Sequence, residues 1–174
     1  MKVAFLRKKF IFAWKNMLKK PELFQNGFHL SFFPLPPEVR SCVENQKWDE
    51  LDLIFQEFTK RDGRLWKFLQ DYHDFSIIEF IISIRDAQND WEEDGIWHDD
   101  GSRVFAFSLS LTLNPEEIEG GRLGIKRKES DQYLEIPTPS FGGIIMFLTG
   151  IYGFEHKIHQ VKKGKRVIIA GWCS

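Results

Sequence analysis

Four residues in the second half of the chain have types and spacing suited to metal chemistry. They are His98 and Asp100 in Trp97-His98-Asp99-Asp100-Gly101, and His156 and Arg166 at the two ends of the run His156-Lys157-Ile158-His159-Gln160-Val161-Lys162-Lys163-Gly164-Lys165-Arg166. Two imidazoles and one carboxylate can hold a divalent iron on one face and leave the opposite face open to substrate and oxygen. An arginine close by in space would anchor a carboxylate-bearing co-substrate, since a planar guanidinium offers two parallel donors where the neighbouring Lys165 offers a point charge. His159 competes with His156 for the third ligand position. Taken together these residues suggest an enzyme.

Such residues act only if strands and turns bring them together. Alternate residues of an extended segment point to one side, so an extended backbone would converge His98 and Asp100 and turn Asp99 away, with His156 beside Ile158 and His159 opposite. The strand carrying the arginine is expected from Arg166 to Trp172. Others are expected at Ile77–Ile84, Val104–Leu113, Leu123–Lys126, Tyr133–Ile136, Ile144–Leu148 and Lys157–Val161, where β-branched and aromatic residues concentrate. Asn114-Pro115, Gly120-Gly121, Ser130-Asp131, Gly142-Gly143 and Gly164 punctuate them as turns.

Ahead of these the periodicity is helical. Pro36-Pro37 opens a short helix through Val43, Leu51, Ile54, Phe55 and Phe58 form the apolar stripe of a second, and a third runs from Leu65 to Tyr72. Leu6, Phe10, Ala13, Met17 and Leu18 mark a basic amphipathic helix ending at Pro21, read as packing against one face of the domain. The expected architecture is α+β and mainly β. It is one domain spanning residues 1–174, with a helical front half (1–75) and a sandwich or double-stranded jelly roll (76–174) carrying helices on the outside of one sheet.

Read as a set, His98-x-Asp100 and His156-x-Ile158-x-x-Val161-x-x-Gly164-x-Arg166 resemble the Fe(II)/2-oxoglutarate-dependent dioxygenases, particularly their prolyl hydroxylase-like branch. The likeness extends to Leu113-Asn114 followed by Gly120-Gly121, and to the run from Pro139 through Gly142 to Phe147, and so covers residues 77–172. It implies a double-stranded β-helix, with Fe(II) held by His98, Asp100 and His156 and the distal carboxylate of 2-oxoglutarate held by Arg166. In that pattern the spacing to Gly164-x-Arg166 favours His156 over His159. It implies use of O2, release of succinate and CO2, and hydroxylation in preference to halogenation, because the carboxylate ligand is retained as Asp100. The sequence departs from the pattern where a tyrosine often touches 2-oxoglutarate. That position is Thr112, offering a shorter hydroxyl contact. Ile168 stands where some members have a hydroxyl, and Arg122 where an acidic or small residue is common.

Composition narrows the partners. A formal net charge of −1 and a sequence pI near 6.5 give no global attraction to nucleic acid. Cys42 and Cys173, the two cysteines, are read as free thiols in a reducing compartment, and the expected location is cytoplasmic. No apolar run has the length of roughly 18 residues needed to span a bilayer, and the early Arg7-Lys8-Lys9 interrupts any signal-peptide pattern. The favoured substrate is a protein or peptide side chain, prolyl by resemblance. The acidic stretch from Asp90 to Asp100 is a candidate recruiter of a basic target, and the connection between Arg85 and Trp97 is expected to be mobile. A free amino acid or other small-molecule substrate is the first alternative, and a jelly-roll module that keeps the metal without turnover is the second. Oligomeric state is open.

Overall fold

The computed structural model describes residues 20–88 and 94–174. The amphipathic stretch from Leu6 to Leu18 and residues 89–93, which hold Asp90, Glu92 and Glu93 of the acidic run, lie outside them. In chain order the described elements are α1 (Pro21–Asn26), β1 (Phe28–Phe32), α2 (Pro37–Glu44), α3 (Trp48–Thr59), α4 (Arg64–Gln70), β2 (Ile78–Asp86) and β3 (Phe105–Ser110). They continue with β4 (Glu119–Gly120), β5 (Leu123–Arg127), β6 (Leu134–Ile136), β7 (Gly143–Leu148), β8 (Phe154–Ile158), β9 (Val161–Lys163) and β10 (Lys165–Cys173). Among the described residues no helix is long and apolar enough to cross a membrane.

The strands form an antiparallel jelly roll. Its larger sheet has the order β1-β7-β3-β10-β2, and its smaller layer consists of β6-β5-β8 with the short pair β4-β9. β10 is the central girder, registered against β2 on one side and β3 on the other, so that Arg166 lies opposite Arg85 and Ile168 opposite both Ser83 and Ser110. Strand alternation divides β2 between two environments. Ile81, Ser83 and Arg85 line a cavity between the layers, while Phe80, Ile82 and Ile84 pack into the apolar core.

The helices cover the outer face of the larger sheet. On α3 the stripe expected from the sequence places Leu51 and Phe55 at zero exposure, with Phe55 against Phe80 of β2 at 6.2 Å between ring centroids. Pro37 opens α2, and Pro21 opens α1. Cys42 and Cys173 are both free and buried, which matches two separate thiols.

Three local expectations are corrected. The segment read as one strand from Lys157 to Val161 is broken at His159-Gln160, and its parts belong to β8 and β9, which pair with different partners. The strand expected from Val104 to Leu113 is shorter, Phe105–Ser110: Leu111 still donates its N–H to the Val167 carbonyl of β10, but Thr112 bonds Val167 through its hydroxyl and gives its N–H to Ser110 Oγ, so the backbone ladder stops. β1, which has an exposed Phe32 and no strict alternation, was not expected as a strand; it exists because β7 offers it a register partner at every residue from Phe28 to Phe32.

The load on the helix–sheet contact can be measured. Phe55→Ala is expected to lower unfolding free energy by about 3–5 kcal/mol, the usual cost of truncating a fully buried phenylalanine. Urea denaturation followed by circular dichroism checks this, and a loss under about 1 kcal/mol would mean that α3 packs only loosely on the sheet.

Candidate active site

The smaller layer places the first imidazole pair. The segment ending at His98 runs antiparallel to β8: Gly95 donates its N–H to Ile158 at 2.7 Å, His98 to His156 at 2.9 Å, and His156 back to His98 at 2.8 Å. This closed two-residue bridge sets the two rings 4.2 Å apart between centroids. His98 Nδ1–H donates to the Ile96 carbonyl at 3.1 Å, which leaves Nε2 as the free ligand atom. His156 Nε2 lies 3.4 Å from Asp100 Oδ2, and His98 Nε2 lies 3.9 Å from Asp100 Oδ1. One ligand atom from each of the three residues falls within 4.8 Å of the others. Among the described residues Asp100 Oδ2 is buried without a hydrogen-bond donor. A shared divalent cation fits that arrangement and would satisfy the orphaned oxygen.

Asp100 does not reach this position by strand parity. Its φ is +57°, followed by Gly101 at +66°, so the chain leaves the extended conformation directly after Asp99. A short polar side chain tolerates this left-handed geometry better than most. Arg103 secures the turn: Nη1 donates to the Asp100 carbonyl at 3.4 Å, Nη2 pairs with Glu79 of β2 at 3.2 Å, and the guanidinium lies 5.2 Å from the Trp172 ring centroid. Asp99 does point away, into an ion pair with Lys128 that holds its carboxyl below the usual range.

Burial shapes the charges. The Asp100 carboxyl is pushed above its ordinary value by desolvation, against the opposing pull of His98 and of a hydrogen bond from Trp172. His156 is held down to about 3 by desolvation and then by the neighbouring His98, which keeps its imidazole neutral at neutral pH. A neutral imidazole is the form that ligates a metal.

Arg166 forms the floor of the same cavity, a space of about 260 Å³ also lined by His98, Asp100, His156, Arg85 and Trp172. Its side chain is 1% exposed. Nε donates to Thr138 Oγ1 at 3.2 Å and Nη2 to Ser108 Oγ at 3.5 Å, whereas Nη1 is buried without a hydrogen-bond partner among the described residues. No carboxylate pairs with it among the described residues, and Glu155 is taken by Lys126 at 3.3 Å. Burial and then the proximity of Arg85 bring the guanidinium down to about 9, so it stays charged at neutral pH. Gly121 makes room for it: a Cβ there would stand 3.0 Å from Arg166 Cδ and 3.0 Å from Val161 Cγ2, at φ +61°.

His98, Asp100, His156 and Arg166 are thus brought together. Thr112 is not. Its hydroxyl accepts from Val167 N–H at 3.1 Å and donates to Val167 O at 3.0 Å, which commits it to the backbone of β10 and away from the cavity. His159 faces Glu135 across the smaller layer at 3.2 Å, remote from the ligand cluster. Ser108, Thr138, Trp172 and Arg85 were missed by sequence reasoning. Only Arg85 carried a signal, as a cation inside an isoleucine-rich strand.

Comparison with known proteins follows this geometry. Residues 83–174 match the family model described as the 2OG-Fe(II) oxygenase superfamily. No curated protein matches the sequence. Among solved structures, a Pseudomonas putida prolyl-4-hydroxylase is similar at 18% identity and TM-score 0.53, covering 88% of this chain and 90% of that one. A Trichoplax adhaerens prolyl hydroxylase, solved with a hypoxia inducible factor oxygen degradation domain peptide fragment, is similar at 14% identity and TM-score 0.55, covering 92% and 89%. A prolyl 4-hydroxylase structure from Phytophthora capsici has TM-score 0.60 at 12% identity, covering 87% of this chain and 60% of its own. At these identities the likeness is one of fold.

The space left by Gly121 is a direct test of how Arg166 is seated. Gly121→Ala combines a left-handed backbone with a crowded Cβ, and is expected to destabilise the fold by about 1–3 kcal/mol. Thermal and urea unfolding of the variant check this, and an unchanged midpoint would show that the guanidinium stem has slack.

Proposed function

The chain belongs to the 2OG-Fe(II) oxygenase superfamily, and from that premise we propose that His98, Asp100 and His156 hold the Fe(II) and that Arg166 pairs with the distal carboxylate of 2-oxoglutarate. It is a 2-oxoglutarate-dependent dioxygenase, of a family that uses Fe(II), 2-oxoglutarate and O2. The reaction proposed is hydroxylation of a protein or peptide side chain, a prolyl ring, with release of succinate and CO2. The observation that carries the reading is the buried Nη1 of Arg166, which has no hydrogen-bond partner among the described residues and belongs to an arginine that lines the same cavity as the three ligand residues. A buried unpaired guanidinium is costly, and an incoming carboxylate repays that cost with a charge-assisted contact.

Each residue has a task that follows from its surroundings. His98 and His156 turn their Nε2 atoms toward Asp100, and the backbone bridge between them fixes their separation. Asp100 supplies the anionic ligand from a turn tied to β2 and β10 by Arg103. Thr138 and Ser108 hold the Arg166 guanidinium by its Nε and Nη2 edges, leaving Nη1 for the dicarboxylate. Leu123, Phe147 and Ile168 give the cavity apolar walls that keep bulk water out. When bound, iron and 2-oxoglutarate supply the oxygen activation. The peptide substrate is supported by the fold shared with a prolyl hydroxylase solved with a peptide fragment, and by a cavity whose rim is the edge strand β2, where Ile81 is 47% exposed.

The ligand assignment predicts a pattern across four variants. His98→Ala, Asp100→Ala and His156→Ala should each lose Fe(II) binding by at least about tenfold and abolish turnover, while His159→Ala keeps the metal. Anaerobic Fe(II) titration and succinate release check it; iron loss in His159→Ala with retention in His156→Ala would reassign the site.

For the co-substrate, Arg166→Ala should weaken 2-oxoglutarate binding by roughly 2–5 kcal/mol without loss of iron, the usual cost of leaving one member of a buried charged pair unpartnered. Arg166→Lys should recover only part of this, since an ammonium lacks the planar fork. Titration of 2-oxoglutarate into anaerobic Fe(II)-loaded protein, followed by absorption and calorimetry, decides the matter. Unchanged affinity in Arg166→Ala would remove the assignment.

A further inference from the structure

The cavity contains a second buried guanidinium that the proposed reaction does not use. Arg85 is 8% exposed and lies directly across β2 and β10 from Arg166, on the same face of the sheet. Cross-strand partners have Cβ atoms about 4.5–5.5 Å apart, so two like charges share one low-dielectric space. Two features separate their roles. Arg166 has no carboxylate partner among the described residues, whereas Arg85 pairs with the Asp94 carboxylate and directs its Nε toward Ser83 Oγ at 3.4 Å. Asp94 is itself buried, with 8% of its side chain exposed.

The placement of Asp94 gives the pair its meaning. The next residue, Gly95, is hydrogen-bonded to Ile158, and His98 three residues later is bridged to His156, so this segment belongs to the smaller layer. Arg85 belongs to the larger sheet. The ion pair is therefore a strut between the two layers at the end of the cavity nearest Arg166. Charge accounting points the same way. A divalent cation and Arg166 bring three positive charges, and Asp100 and a dicarboxylate bring three negative ones. Among the described residues, the pairing of Arg85 with Asp94 keeps a cavity holding both neutral.

We propose that the Arg85–Asp94 pair is a specificity-determining strut that closes Arg85 to outside anions, leaves Arg166 as the single guanidinium open to a carboxylate, and so restricts the reacting part of the substrate to an uncharged group. This rests on the assignment of Arg166 made above. It predicts that an uncharged ring or aliphatic side chain is accepted and that a carboxylate at the same place is refused.

The experiment asks whether removing Asp94 opens an anion site at Arg85. The full chain, loaded anaerobically with Fe(II), is titrated calorimetrically with sodium sulfate in an Arg166→Met background, where the Arg166 site is gone. Adding Asp94→Asn should tighten sulfate binding by about tenfold or more, the order of one charge-assisted contact. Adding Asp94→Glu, which keeps the pair, should give no gain, and adding Arg85→Met to the Asp94→Asn variant should cancel it. No gain with Asp94→Asn, or a gain that survives Arg85→Met, overturns the proposal. Should the Asp94→Asn chain not fold by circular dichroism, Arg85→Met alone decides: sulfate affinity within about twofold of the parent chain supports a closed arginine, and a larger loss overturns it. The Arg166 assignment is judged apart from this, by 2-oxoglutarate titration of Arg166→Met against the parent chain.

Discussion

The structure depends on a charge kept out of water. Arg166 lies at the floor of an inter-layer cavity at 1% exposure, held along one edge by the hydroxyls of Thr138 and Ser108 and by no carboxylate among the described residues. Desolvating a guanidinium without a counter-charge is expensive, and folding would not keep it there unless many neighbours fixed its place. Those neighbours are identifiable. β10 is paired on both sides, Gly121 has no Cβ to obstruct the arginine stem, and Thr138 approaches from the turn before β7. The cost is a standing preference for an anion, and the family's co-substrate is a dicarboxylate.

The proposed metal ligands are governed by a different constraint, the joining of the layers. His98 and His156 are 58 positions apart and become neighbours through reciprocal backbone hydrogen bonds, so ring spacing is inherited from strand spacing. Asp100 enters through a left-handed turn that Arg103 ties to Glu79 and Trp172 on the opposite sheet. Both sheets therefore contribute to the geometry of one small cluster. A shift of either layer would move the ligands relative to the arginine, which is how a scaffold without chemistry of its own controls chemistry.

Two arginines in one cavity would repel each other unless one were neutralised. Asp94 does this for Arg85 while bridging the layers, and the asymmetry between a closed and an open guanidinium gives the cavity a direction. The open arginine and the ligand cluster define where a dicarboxylate would lie. The apolar residues toward β2 and Trp172 define what remains for substrate, at the rim where an edge strand leaves the cavity accessible.

The sequence by itself determined the chemistry and most of the frame. The residue types at positions 98, 100, 156 and 166, with their order and spacing, were enough to expect an iron and 2-oxoglutarate enzyme. Period-two and helical patterns were enough for most strands and for α2, α3 and α4, because those patterns reflect which face each element buries. What the tertiary structure alone decided depends on pairing between distant segments. β1 is a strand only because β7 pairs with it, and Thr112 is spent on the Val167 backbone although its position suggested a co-substrate contact. Asp100 converges by a turn and not by strand parity, and Arg85 acquires a role only when register sets it opposite Arg166 and the returning chain brings Asp94 to it. Local patterns record burial, which each residue carries in its own chemistry. Register, orphaned donors and shared cavities are properties of pairs, and no single stretch of sequence contains both members.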